Sequence, residues 1–160
     1  MRISVSTTTT CRAWAIEAAS VQYVGVGGMA VDFHGLVRAT EDLDIFVAAT
    51  SENIARLRDA LHSIYSDPSI DEITAADLCG DYPAVRYVPP DGPPMDILTR
   101  LGDRFRFADL ASEPYDVDGQ TVTVATPATL YRMKKATVRP IDHADAARLA
   151  DAFGVDDEAP

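Results

Sequence analysis

The chain has 160 residues, 47% of them hydrophobic and 24% charged, with 14 basic against 25 acidic side chains and a net charge of −11. That length and balance suit one domain that buries most of its apolar surface, and they exclude a disordered chain and duplex binding driven by overall charge. Two distant cysteines, Cys11 and Cys79, exclude a disulfide framework or a zinc site. No apolar run has membrane-spanning length and the N-terminus MRISVSTTTTCRAW lacks a signal-peptide core, which predicts a protein of the reducing cytoplasm with no membrane partner.

In chain order, the threonine run 7–10 reads as a polar lead-in that caps a helix containing Trp14, Ile16 and Ala18 and ending near Ser20. Val21 to Val26 form a short strand stopped by Gly27 and Gly28, and Met29, Ala30, Val31, Phe33 and Leu36 predict a buried helix. Leu43, Ile45 and Val47 alternate with Asp42 and Asp44, the period of a strand with one apolar and one acidic face. Thr50 then caps a helix whose apolar residues Ile54, Leu57, Leu61 and Ile64 recur at helical spacing.

The stretch 67–80 is polar and carries no clear periodicity. Val85, Tyr87 and Val88 suggest a strand, PPDGPP a turn containing Asp91, and Met95 to Leu98 the returning strand. Asp118 and Gly119 between Tyr115, Val117 and Val122, Val124 signal a two-residue hairpin. Two helices follow, 127–137 and 140–153, each opened by a proline. The expectation is one α/β (α+β) domain over 1–153, a mixed sheet packed against helices with helices at the C-terminus, and a loose acidic tail over 154–160.

Three features share a purpose. Glycines at a strand-to-helix turn let a ligand approach the backbone, and the amides of Gly27 and Gly28 suit a phosphate. Side chains at i and i+2 of a strand leave one face, so Asp42 and Asp44 sit together and repel unless a cation binds. Pairing of their strand with the one bearing Asp96 brings in a third carboxylate. Oxygen-only ligands indicate Mg²⁺ or Mn²⁺, and three carboxylates suit two ions, one on a triphosphate and one lowering the pKa of an attacking hydroxyl.

With that pattern the run GVGGMAVDFHGLVRATEDLDIFV resembles the minimal nucleotidyltransferases of the DNA polymerase β-like superfamily, in which a Gly-Gly or Gly-Ser turn precedes an Asp-x-Asp strand; thirteen residues separate Gly28 from Asp42. Arg38, Thr40, Asp42 and Asp44 match the R-x-T-x-D-x-D form of a bacterial subgroup of abortive-infection and toxin–antitoxin enzymes. That subgroup also shows a helical lysine before R-x-x-D-x-x-D, here Lys134 or Lys135 and then Arg139, Asp142 and Asp145. The resemblance implies that Asp42, Asp44 and Asp96 are catalytic metal ligands, Asp96 also a general base, and Gly27 and Gly28 the phosphate turn. It implies a nucleoside triphosphate (NTP) as substrate, transfer of its monophosphate to a hydroxyl with release of pyrophosphate, and a cognate antitoxin.

Arg38, Lys134 and Lys135 are candidates for the triphosphate, against a salt-bridge role for Arg38 and helix-dipole complementation for the lysines. Arg139, Asp142, Asp145 and Arg148 fit an ion-pair network at a helix start. His34, His62 and His143 lack partners at ligand spacing. The acceptor stays open between RNA, such as a tRNA end, and a small antibiotic or a protein side chain; arginines 100, 104 and 106 favour a nucleic acid, the net charge opposes it. A noncatalytic nucleotide- or partner-binding module is the rival class, motivated by the short chain, and a homodimer is one way for so small a domain to complete its cleft.

Overall fold

The alternation along each strand decides which layer its side chains enter. In a computed structural model of the chain, which describes residues 7–38, 40 and 42–158, the strands are β1 (Tyr23–Val26), β2 (Leu43–Val47), β3 (Ala84–Tyr87), β4 (Met95–Leu98), the short ribbon β5 (Arg100–Leu101) and β6 (Phe105–Arg106), β7 (Ser112–Val117) and β8 (Gln120–Ala125). The helices are α1 (Thr7–Ala18), α2 (Gly27–Phe33), α3 (Ser51–His62), α4 (Ala75–Leu78), α5 (Pro127–Lys135) and α6 (Pro140–Phe153). Six strands form one mixed sheet in the order β3-β4-β2-β1-β8-β7. Within it β2 and β4 run parallel, as do β1 and β8, and the other neighbours are antiparallel.

Leu43, Ile45 and Val47 of β2, with Met95 and Ile97 of β4, enter a core shared with Ile54, Leu57 and Leu61 of α3. The intervening residues face the other way, where Phe46 packs with Val24 and Val26 of β1, Met29 and Phe33 of α2, Leu130 and Met133 of α5 and Leu149 of α6. The second face of β2 is therefore acidic only at its start: Asp44 precedes the buried Phe46, and Asp42 lies just outside the strand.

The predicted strands, the Thr50-capped helix and the Asp118–Gly119 hairpin are all present. The Thr50 hydroxyl accepts from Asn53 N at 3.1 Å, and Asp118 and Gly119 both take positive φ between the paired Val117 and Gln120. Three expectations change. The threonine run starts α1 instead of preceding it, because its neighbours Arg12, Ala13 and Ile16 are buried on the same helix. The helix α2 begins at Gly27 and stops at Phe33, since Gly35 turns the chain at φ 85° and leaves Leu36 beyond the helix. The tail is anchored, with Val155 against the core and Asp157 accepting from Lys135 Nζ at 2.6 Å. The first six residues, part of the segment read for a signal peptide, and Ala159 and Pro160 of the tail lie outside the described residues. No helix among the described residues is long and apolar enough to cross a membrane.

One buried side chain sets the pairing on which the site depends. Asn53 Nδ2 donates to Gln22 O and Ala48 O, both at 3.0 Å, and its Oδ1 accepts from Gln22 N at 2.7 Å. Gln22 precedes β1 and Ala48 follows β2, so this amide closes the ladder that matches Tyr23 with Val47 and, at its far end, Val26 with Asp44. Asn53→Ala removes three hydrogen bonds and leaves Gln22 N without its acceptor, while Gln22 O keeps Ala48 N and Ala48 O keeps Thr50 N; the expected cost is about 1 to 3 kcal/mol in urea or thermal unfolding, and a change within about 0.5 kcal/mol removes Asn53 from this role.

Candidate active site

The parallel pairing of β2 with β4 sets Asp44 directly opposite Asp96, and the antiparallel pairing of β3 with β4 sets Arg86 opposite Asp96 on its other side. Since facing residues share a side of the sheet, two carboxylates and a guanidinium stand in a row. Arg86 Nη1 donates to Asp96 Oδ1 at 3.4 Å and Oδ2 at 3.2 Å, while Nη2 reaches Asp42 Oδ2 at 3.3 Å. The guanidinium thus bridges the two outer aspartates.

Asp44 is the strained member. Burial, followed by the carboxylate of Asp96 and then that of Asp42, pushes its pKa up to about 7, with the Lys134 charge pulling the other way. Its Oδ1 is buried and receives no hydrogen bond. A carboxylate held beside two others with an unmet acceptor is a site prepared for positive charge.

The glycine turn has a packing reason at each position. Gly27 has φ 74°, and a Cβ there would lie 2.0 Å from Asp44 Oδ2, so the missing side chain is the space the carboxylate occupies. A Cβ on Gly28 would meet Thr40 Cγ2 at 2.9 Å and Arg38 Cγ at 3.2 Å. Gly28 is accordingly buried behind the turn, and Gly27 alone of the pair lines the cleft.

The opposite wall comes from α5 and α6. Lys134 is 6% exposed, and its Nζ pairs with Asp142 Oδ1 at 3.2 Å and Asp145 Oδ2 at 2.9 Å. Asp145 also accepts from Arg38 Nε at 3.0 Å and faces Arg148, and Asp142 accepts from the Thr137 hydroxyl and faces Arg139. Burial alone would raise the pKa of Asp145, but hydrogen bonds from Lys134 and Arg38 outweigh it and hold the group below the ordinary carboxylate value. The R-x-x-D-x-x-D segment is therefore an ion-pair network, and it fixes Lys134 toward the carboxylates.

Of the residues singled out for phosphate, Gly27 and Lys134 line the cleft and Arg38 stands behind it on Asp145. Lys135 is turned away, because the next residue on a helix lies about 100° round the axis; its ammonium meets Asp157 and the Tyr131 hydroxyl instead. The cleft itself measures about 380 Å³ and has an apolar side made by Leu98, Leu101, Leu130 and Met133. Its size is that of a small-molecule site. A second gap, lined by Met29, Phe33 and Val124 among others, measures only about 20 Å³, too small for a nucleotide.

The sequence alone did not single out Arg86. Its signal is a lone charge between Val85 and Tyr87 of an alternating strand, on the face later shared with Asp96. The donor set fits Mg²⁺ or Mn²⁺: carboxylate oxygens only, one of them buried and unpaired. Among the described residues, however, no three histidine, cysteine or carboxylate side chains are gathered closely enough to hold a metal ion as they stand.

A family model described as the nucleotidyl transferase AbiEii toxin of a type IV toxin–antitoxin system matches residues 26–149, from the end of β1 into α6. The search of curated proteins returned no match.

The raised pKa of Asp44 has a consequence for stability. Between about pH 4 and pH 7 the folded chain keeps a proton on this group that the unfolded chain has lost, so without divalent ions the group's contribution falls as pH rises through that window. Asp44→Asn removes the slope. Melting curves in a chelator are expected to show the variant more stable at pH 8, by on the order of 2 kcal/mol, and nearly equal to the parent at pH 4. Parallel pH profiles for the two proteins contradict the burial and repulsion assigned to Asp44.

Proposed function

The chain belongs to the AbiEii nucleotidyl transferase toxin family, and from that premise we propose that it moves a nucleoside monophosphate from an NTP to a hydroxyl of an RNA, using Mg²⁺ or Mn²⁺ held by Asp42, Asp44 and Asp96. The observation that carries this reading is the Asp44–Asp96 register on adjacent parallel strands beside Gly27. Divalent ions, when bound, supply positive charge to the triphosphate and acidify the attacking hydroxyl.

The chain's own residues do the rest. The acceptor oxygen attacks the α-phosphorus, its proton passes to an Asp96 carboxylate oxygen, and the bond from the α-phosphorus to the bridging oxygen breaks to release pyrophosphate. Lys134, fixed by Asp142 and Asp145, meets the charge that gathers on the leaving phosphates. Gly27 admits the phosphates close to the backbone, and the apolar side of Leu98, Leu101 and Met133 shelters the nucleoside. Gly28, Arg38 and Lys135 support the site or lie outside it, without touching the nucleotide.

RNA is favoured as acceptor by the β5–β6 ribbon. Arg100 faces Arg106 across the ribbon, a like-charge pair that destabilises a hairpin unless an anion lies on it, and Arg104 is in its turn. The adjoining Leu101 lines the cleft, which places the ribbon beside it, though none of the three arginines is itself a lining residue. A cognate antitoxin and a cytoplasmic site of action complete the reading.

The test is incubation of the pure protein with each labelled NTP, Mg²⁺ and total RNA. Covalent label is expected in RNA, with one pyrophosphate released per label, and Asp44→Asn or Asp96→Asn reduces both at least about a hundredfold. Absence of both label and pyrophosphate makes the chain a binding module and overturns the reading; label on a protein or a small molecule overturns the acceptor.

A further inference from the structure

Two cations approach the aspartates, and they are held in opposite ways. Lys134 is buried and locked between two carboxylates of its own wall. Arg86 is on an edge strand with its side chain 53% exposed, and its hydrogen bonds to Asp96 and Asp42 run from 3.2 to 3.4 Å. Charge-assisted pairs in good geometry close to about 2.7 to 2.9 Å. Half exposed and with no contact shorter than 3.2 Å, Arg86 is the releasable cation, and Lys134, buried and with one contact at 2.9 Å, is the fixed one.

The guanidinium also occupies the space between carboxylates that a metal ion needs drawn together. Mg²⁺ takes its oxygens at about 2.0 to 2.1 Å, which brings ligand oxygens within about 3 Å of one another. With a planar group spanning Asp42 and Asp96, the described residues offer no such cluster. A divalent ion entering there also repels a guanidinium a few ångströms away. Arg86 in the Asp42–Asp96 gap therefore competes with an ion that draws those two carboxylates together.

Resting on the reading above that these aspartates take a divalent ion, we propose that Arg86 is a built-in counter-ion which the metal must displace, and which then pairs with the incoming triphosphate, so that metal and nucleotide bind cooperatively. Arg86 lines the cleft together with Lys134 and Arg139, so a released guanidinium has the phosphate path in front of it. A five-donor fork bridges two carboxylates and serves equally well on phosphate oxygens. The device keeps the carboxylates neutralised when no substrate is present and links their exposure to metal with the arrival of an NTP.

The test is a titration of the chain with Mn²⁺, followed by paramagnetic resonance of the free ion, with and without an NTP analogue carrying a methylene bridge between its α- and β-phosphorus. Arg86→Gln is expected to bind Mn²⁺ at least about fivefold more tightly than the parent without nucleotide, and to gain less affinity than the parent when the analogue is added. Arg86→Lys keeps the charge but cannot span both carboxylates, and is expected between the two. Thermal melting in a chelator, where Arg86→Gln is expected to be the less stable protein and to gain more from Mn²⁺, reports the same exchange without nucleotide. Unchanged or weaker Mn²⁺ affinity in the folded Gln and Lys variants, with the parent still binding metal, overturns the role of Arg86 and leaves the proposed transfer reaction standing. A parent chain that binds no Mn²⁺ even with the analogue overturns both.

Discussion

Like charge on adjacent parallel strands is the constraint around which this molecule is arranged. Burial, and then the register of β2 with β4 that places Asp44 against Asp96, push the Asp44 pKa up to about 7. Nothing about folding alone calls for this. A pair of alanines at those positions would pack on the same face at no electrostatic cost, so on the proposed reading the acidic pair is there for the cation it attracts. The neighbours then follow from it: a glycine where a Cβ would strike the carboxylate, and a guanidinium on the adjacent edge strand.

Positive charge reaches the site by two routes with different physics. The ammonium of Lys134 is buried and paired with Asp142 and Asp145; the same Asp145 binds Arg38, whose stem covers Gly28. The R-x-x-D-x-x-D segment, the R-x-T motif and the glycine turn are in this way one mechanical unit, joined through Asp145. Arg86 costs far less desolvation at 53% exposure and has no contact as short as the 2.9 Å from Lys134 to Asp145. A fixed cation suits charge that gathers during reaction, and a releasable one suits an exchange on binding.

Much of this was legible in the sequence, for identifiable reasons. Alternation at 43–47, the Thr50 cap and the Asp118–Gly119 turn are local codes, each settled within a few residues, and the structure has them where they were expected. That Asp96 joins the Asp-x-Asp strand was inferred from a pairing the sequence does not state, and β4 does lie parallel to β2. What stayed hidden depends on long-range register or on angle about a helix. Arg86 meets Asp42 across 44 positions, Lys135 differs from Lys134 only by one step round α5, and Gly28 is small because side chains ten and twelve residues later cover it. The threonines of α1 misled because their polarity signals a cap, while burial of the following residues extends the helix through them.

The most direct measurement is the carboxyl-carbon NMR titration of Asp44 in the full chain, first with a chelator and then with excess Mg²⁺ and an unreactive NTP analogue. The account predicts a midpoint near pH 7 without the ion, from burial beside Asp96 and Asp42, and a fall to well below pH 4 once divalent charge arrives. An Asp44 that titrates near pH 4 in both conditions would contradict it.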